Sequence, residues 1–319
     1  MEIILWLLAF SGGVALIVWG AEAFAEHLGR ASVRLGVSSF ALALLLAGAE
    51  PEELATAVTA SLRGSPGIAL GDVVGANVTI CLVALGVGAW IAPLPFRTAV
   101  MRYALLGLPL GAIGAWCAWD GEVGRGEGAV LVALYAFYVA AIWWVERKPP
   151  ALGEVGELAE AREAAGLGHS SRIGRDLLLV LAGAVAMAAG ATLLVEAVQR
   201  LSGAEATQTK LGLTLVGFAT GFELVVLAWS AARRGISEAV VAGVVGSFAY
   251  NATMTLGAGA LARPLVLADA AMLHGPLLLM LGSLALVAVL AARRRLLSRT
   301  ESFILLAFYP AYIVLVLLT

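Results

Sequence analysis

Apolar residues run along this chain in long unbroken blocks, with neither the alternation of a half-buried strand nor the single stripe of a surface helix. Ten blocks stand out, with approximate ends 3–22, 37–62, 67–92, 100–119, 128–145, 177–199, 208–232, 237–262, 267–292 and 301–318. About 20 apolar residues suffice for a helix to cross the hydrocarbon core. The pattern therefore predicts an all-α membrane protein of ten transmembrane helices; a barrel would show ~10-residue alternating stretches instead. The first block opens on Glu2 without a basic flank, so it reads as a retained span and not a signal peptide. The polar interruptions are short except 146–176, a charged stretch punctuated by Gly and Pro. Its middle, Glu154 to Glu163, is rich in Ala, Leu and Glu and predicts a short surface helix. It reads as a linker between two five-helix halves, 1–145 and 177–319.

Composition agrees with the pattern. The chain is 61% hydrophobic and 13% charged, against about a quarter charged in soluble domains. A net charge of −2 offers no case for a nucleic-acid partner. Cys81 and Cys117 both lie in apolar blocks and read as buried thiols, neither a disulfide nor a metal site. Charge placement sets orientation: fifteen of the twenty Lys and Arg residues fall in the loops after blocks 1, 3, 5, 7 and 9. The positive-inside rule makes that set cytoplasmic, linker included, and both termini extracytoplasmic. The partner this implies is a lipid bilayer, read as a prokaryotic inner membrane.

The two halves repeat each other. At an offset of 171 residues Gly64 meets Gly235, Gly75 meets Gly246, Gly86 meets Gly257, Pro93-Leu94 meets Pro264-Leu265, and Glu52 meets Glu223. Five spans per half is an odd number, so the halves insert in opposite orientations. Inverted repeats are a transporter architecture, with the binding site near the midplane on broken helices.

Five acids lie well away from the ends of these blocks: Glu50, Glu52, Glu53 and Asp72 in the first half and Glu223 in the second. Each costs about 2.5–3.5 kcal/mol at the bilayer centre, and no Lys or Arg lies at comparable depth in the sequence. Carboxylates are hard ligands suited to Ca²⁺, Na⁺ or protons. Pro51 with Gly48, and Gly217 with Gly221, are expected to loosen the helices beside the acids and free carbonyl oxygens. Gly71 with Gly75, and Gly243 with Gly246, are expected to let helices approach closely. Asn77, Thr220, Ser247 and Asn251 add polar atoms on or near the same region.

At these residues the chain resembles the cation/calcium antiporter superfamily, the sodium/calcium exchanger group. That family's alpha repeats read G-T-S-L-P-E-L and, about twenty residues on, G-N-x-x-G-S-N-I-F-N. The first repeat here (48–80) reads "GAEPEEL" and "GDVVGANVTI"; the second (217–251) reads "FATGFEL" and "AGVVGSFAYN". The resemblance implies ten helices, cation binding by one glutamate per repeat, completion of the site by hydroxyls and carbonyls, and exchange of calcium for sodium by alternating access. Departures are evident. The Thr-Ser pair is Ala49-Glu50 in one repeat and Thr220-Gly221 in the other, the Asn of G-N is Asp72, and the following Ser is Ala76 in the first repeat but Ser247 in the second. The glutamate register shifts as well. Counting from Gly48 selects Glu53, whereas the Pro-Glu pair and the 171 offset select Glu52 with Glu223. Consecutive residues on a regular helix point about 100° apart, so one of Glu52 and Glu53 is expected to face inward, Glu52 by symmetry.

The leading expectation is a secondary antiporter moving a divalent cation, Ca²⁺ foremost, against Na⁺ or H⁺. Glu52, Glu53 and Glu223 are its first ligands, and Glu50 and Asp72 are further acids able to carry protons. The alternative is a transport-inactive homologue that binds or senses cations, motivated by the missing hydroxyls. No enzyme is expected: HExxH is absent, and His27, His169 and His274 fall near loops or block edges. No resident cofactor is expected beyond the transported ions.

Overall fold

The computed structural model describes residues 2–34, 50–146, 173–234 and 237–318. The helices in chain order are α1 (Glu2–Arg34), α2 (Pro51–Leu62), α3 (Pro66–Ile91), α4 (Thr98–Cys117) and α5 (Arg125–Glu146), then α6 (Ile173–Ser202), α7 (205–220), α8 (Phe222–Arg234), α9 (237–262), α10 (Ala271–Arg294) and α11 (Arg299–Leu318). Among the described residues eight helical spans are long and apolar enough to cross a membrane. Their outward faces carry Trp116, Phe137, Trp144 and Leu181, all largely exposed as lipid contact requires. The predicted block 37–62 is described only from Glu50 onward, and Gly48 and the predicted helix at 154–163 lie outside the described residues.

Several boundaries differ from the sequence expectation. The first helix continues past residue 22 to Arg34. Its last turns are held by a 2.5 Å ion pair between Arg30 and Glu26 one turn apart and by packing along α6. The 208–232 block is two helices, interrupted at Gly221. Residues 173–176, assigned to the linker, form the first turn of α6. Three helices contain a five-residue π turn: Ile80–Ala84 in α3, Gly212–Val216 in α7 and Asn251–Thr255 in α9.

The 171-residue offset persists in three dimensions. Shifted by it, Pro66 of α3 falls on Ser237 of α9, the π turn Ile80–Ala84 on Asn251–Thr255, and strand β1 (Leu94–Pro95) on β3 (Leu265–Val266). The strands join the halves. β1 pairs antiparallel with β4 (Leu296–Leu297), and β3 with β2 (Glu122–Val123). Strand β1 precedes α4 and β2 follows it, so the two ribbons lie at opposite ends of that helix.

Helices α1 and α6 form a long antiparallel pair. Three rungs seven residues apart set its register: Gly13 against Gly190, Gly20 against Gly183, and His27 against Asp176. A Cβ at Gly13 would lie 2.8 Å from Gly190 O, and one at Gly20 2.7 Å from Gly183 O, so both glycines permit backbone contact. His27 Nδ1 lies 3.1 Å from Oδ1 of the fully buried Asp176. His27 is thus inside a helix contact and not at a block edge.

Inside this frame α3 packs along α7. A Cβ on Gly71 would come within 2.6 Å of Leu213 N, and one on Gly217 within 2.5 Å of Ala76 N. These small residues bring the polar segments of the two halves together.

Candidate functional site

The acids cluster because of a proline. Pro51 begins α2 at a position where its missing N–H costs nothing, instead of breaking a helix from within. A residue before proline is driven out of the helical region, and Glu50 is extended accordingly, at φ −116° and ψ 86°. Its side chain therefore leaves the helical progression and returns beside the first turn of α2. One carboxylate oxygen from each of Glu50, Glu52 and Glu53 lies within 4.8 Å of the other two, and all three residues are buried. The expectation that only one of Glu52 and Glu53 turns inward is corrected. In the first turn, next to an extended Glu50, both reach the cluster. The first-turn N–H groups of α2 have no carbonyl partners upstream and direct positive potential at these acids.

The second half supplies the same device. Gly221 interrupts the chain after Thr220, and Glu223 lies in the first turn of α8. Glu223 is within electrostatic range of Glu50, Glu52 and Glu53, and is the foremost charge acting on Glu52. Asp72 acts on Glu53. The N-termini of α2 and α8 thus bring their acids to one place between the halves.

The polar residues around this place divide in two. Thr220 donates to Asp72 Oδ1 at 2.8 Å and so joins α7 to α3. Ser247 of α9 donates to Glu50. Asn77 instead donates to Phe248 O at 3.3 Å. Residue 248 is its own counterpart at the 171 offset, so this bond joins corresponding positions of the two halves. Asn251 follows Ser247 by one turn on the same face and accepts from Thr255 at 3.2 Å. Asn77 therefore makes a contact between helices and Asn251 one within its own helix, whereas Thr220 and Ser247 touch acids directly.

Five carboxylate oxygens are buried without a hydrogen-bond partner: Oε1 of Glu52, both oxygens of Glu53, Oδ2 of Asp72 and Oε2 of Glu223. Among the described residues no ion pair involves any of the five acids. A buried carboxylate stays charged only if something answers its charge. Cations or protons can do so here, and five orphaned oxygens approach the 6–8 that Ca²⁺ takes.

Sequence reasoning missed three neighbours. Thr56, one turn beyond Glu52 on the same face, is fully buried with Oγ1 unpartnered; its i+4 spacing was the available signal. Tyr135 of α5 is buried within electrostatic range of Glu50, and Glu22 of α1 within range of Glu223. Nothing in the sequence pattern marks these last two.

The sequence pattern of the family described as Sodium/calcium exchanger protein matches residues 5–144 and 176–318. The chain is similar to the sodium/calcium exchanger MaX1 of Methanosarcina acetivorans, 24% identical over 337 residues and covering 95% of each protein. It is also similar to the inner membrane protein YrbG of Escherichia coli, 23% identical, covering 79% of this chain and 78% of that one. Among solved structures it superposes on the sodium-calcium exchanger NCX_Mj with a TM-score of 0.62, at 23% identity and 98% coverage of both chains.

Proposed function

Because the chain belongs to the sodium/calcium exchanger protein family, a family of membrane cation antiporters, we propose that it exchanges a divalent cation, Ca²⁺ foremost, for Na⁺ or H⁺ by alternating access. The carrying observation is the buried cluster of Glu50, Glu52 and Glu53, with buried Asp72 and half-buried Glu223 within electrostatic range of it and five carboxylate oxygens of these acids unpartnered. In this reading Glu52, Glu53 and Glu223 hold the divalent cation. Glu50 and Asp72 join them, each carrying a proton when the cation is absent. Thr220 and Ser247 aim Asp72 and Glu50, and Asn77 and Asn251 fix the helices on which they ride. The acid-rich, hydroxyl-poor first half favours H⁺ as the counter-ion. Each arriving divalent cation would displace protons from the carboxyls, and the membrane would be spared five uncompensated charges.

The same reading gives ten spans in two inverted five-helix repeats, 1–145 and 177–319, joined by a cytoplasmic linker at 146–176, with both termini outside a prokaryotic inner membrane. The antiparallel α1–α6 pair supports inversion. The loops joined by each ribbon belong to one charge set: 92–97 with 295–298, and 118–124 with 263–270.

The test is ⁴⁵Ca²⁺ uptake into proteoliposomes under imposed Na⁺ or pH gradients. Wild type is compared with Glu52→Gln, Glu53→Gln, Glu223→Gln and Asp72→Asn. Uptake driven by one gradient and abolished by the Glu52 and Glu223 changes is expected. Cation-dependent thermal stabilisation without uptake would establish the transport-inactive alternative, and uptake indifferent to all four changes would sink the site.

A further inference from the structure

The geometry points to a phospholipid site between α4 and α5, with one acyl chain in the groove and an anionic headgroup at Arg102. The groove encloses about 390 Å³, and Leu106, Pro109, Ile113, Leu134, Phe137 and Ala141 contribute to its walls. Its origin is in the packing. Helix α4 leans on α9 and α10 while α5 follows the far end of α9, so these consecutive helices diverge. Pro109 also has no N–H for the Leu105 carbonyl, which weakens the α4 wall at mid-groove.

The dimensions select a single acyl chain. Arg102 to Ile113 spans about 16 Å of helix at 1.5 Å per residue, close to half the ~30 Å hydrocarbon core and thus to one leaflet. The α5 wall, Leu134 to Ile142, covers about 12 Å of it. Arg102 stands at the membrane-surface end, near the start of α4, where a guanidinium meets lipid phosphate. The groove belongs to one half only in its chemistry. At the 171 offset Arg102 becomes Leu273 and Pro109 becomes Met280, both buried in the core. A surface merely wetted by lipid would not need an arginine at one end and a proline in its wall. No step of ion exchange enters this inference.

Native mass spectrometry of the full-length protein in mild detergent tests it, with phosphatidylglycerol and phosphatidylethanolamine supplied equally. Wild type is expected to retain phosphatidylglycerol about fivefold over phosphatidylethanolamine, the weight of one arginine at an anionic surface. Arg102→Gln loses the preference and Arg102→Lys keeps it, while Ala141→Trp fills the groove and loses the adduct. Equal retention of the two lipids by wild type would overturn the proposal. So would an undiminished adduct in folded Ala141→Trp, or a second copy of the chain in place of lipid. Should Ala141→Trp fail to fold, the Arg102→Gln and Arg102→Lys pair decides alone, since Arg102 is exposed.

Discussion

Replacing Gly217 with alanine adds one methyl group at a close backbone approach between the halves. That Cβ would lie 2.5 Å from Ala76 N, 2.6 Å from Gly75 C and 2.7 Å from Gly75 Cα, about 0.9 Å short of the 3.4 Å where ordinary contact begins. All three atoms are α3 backbone and cannot rotate away. Helices α3 and α7 must therefore part by several tenths of an ångström or more. The Thr220–Asp72 hydrogen bond, 2.8 Å at present, lies three residues along and stretches toward the limit of useful geometry. Overpacking costs about 1–3 kcal/mol, and weakening a bond to a charged acceptor adds up to about 1.5–3 kcal/mol. The matched control is Gly282→Ala in α10, where nothing lies within 4 Å of the new Cβ. There alanine should gain up to about 1 kcal/mol of helix propensity. Thermal unfolding in detergent, with EDTA and with Ca²⁺, should show Gly217→Ala melting several degrees below wild type with a smaller Ca²⁺ response, and Gly282→Ala melting at or above it. A Gly217→Ala protein as stable as wild type, with the full Ca²⁺ response, would refute the close-packing argument.

Ser247→Ala removes the donor to Glu50, a bond worth about 1.5–3 kcal/mol if the acid is charged. Melting should fall more in EDTA than in saturating Ca²⁺, because the cation takes over the freed oxygen; differential scanning fluorimetry in both conditions reads it. His27→Ala withdraws one partner from the fully buried Asp176 and should destabilise by about 1–3 kcal/mol. His27→Ala combined with Asp176→Leu should recover part of that loss, since the buried carboxylate is then gone; chemical or thermal unfolding of the single and double variants measures the difference.

The repeat, the acids and the glycine contacts were legible because each leaves a one-dimensional trace. Glu52 and Glu223 share an offset, and Gly71 and Gly75 share a helix face. Joint inward placement of Glu52 and Glu53 was not read, although Pro51 announces an extended Glu50. The periodic argument assumed a continuous helix where the chain starts one. Asp176 was hidden for a different reason. It stands in a charged stretch, and its burial against His27, 149 residues away, exists only in three dimensions. The π turns leave no compositional mark, and Tyr135 and Glu22 reach the acids only through tertiary packing.

The two ribbons also bear on how the protein comes to be made. During synthesis β1 and β2 emerge with the first half, yet their partners, β4 and β3, are encoded 140 or more residues later. The first half thus enters the bilayer with two open strand edges and with the acids of α2 facing a partner not yet translated. Contacts of such sequence separation close late. Insertion and completion become separate events, and quality control in the membrane meets a half-molecule whose acids have no opposite number until α8 arrives.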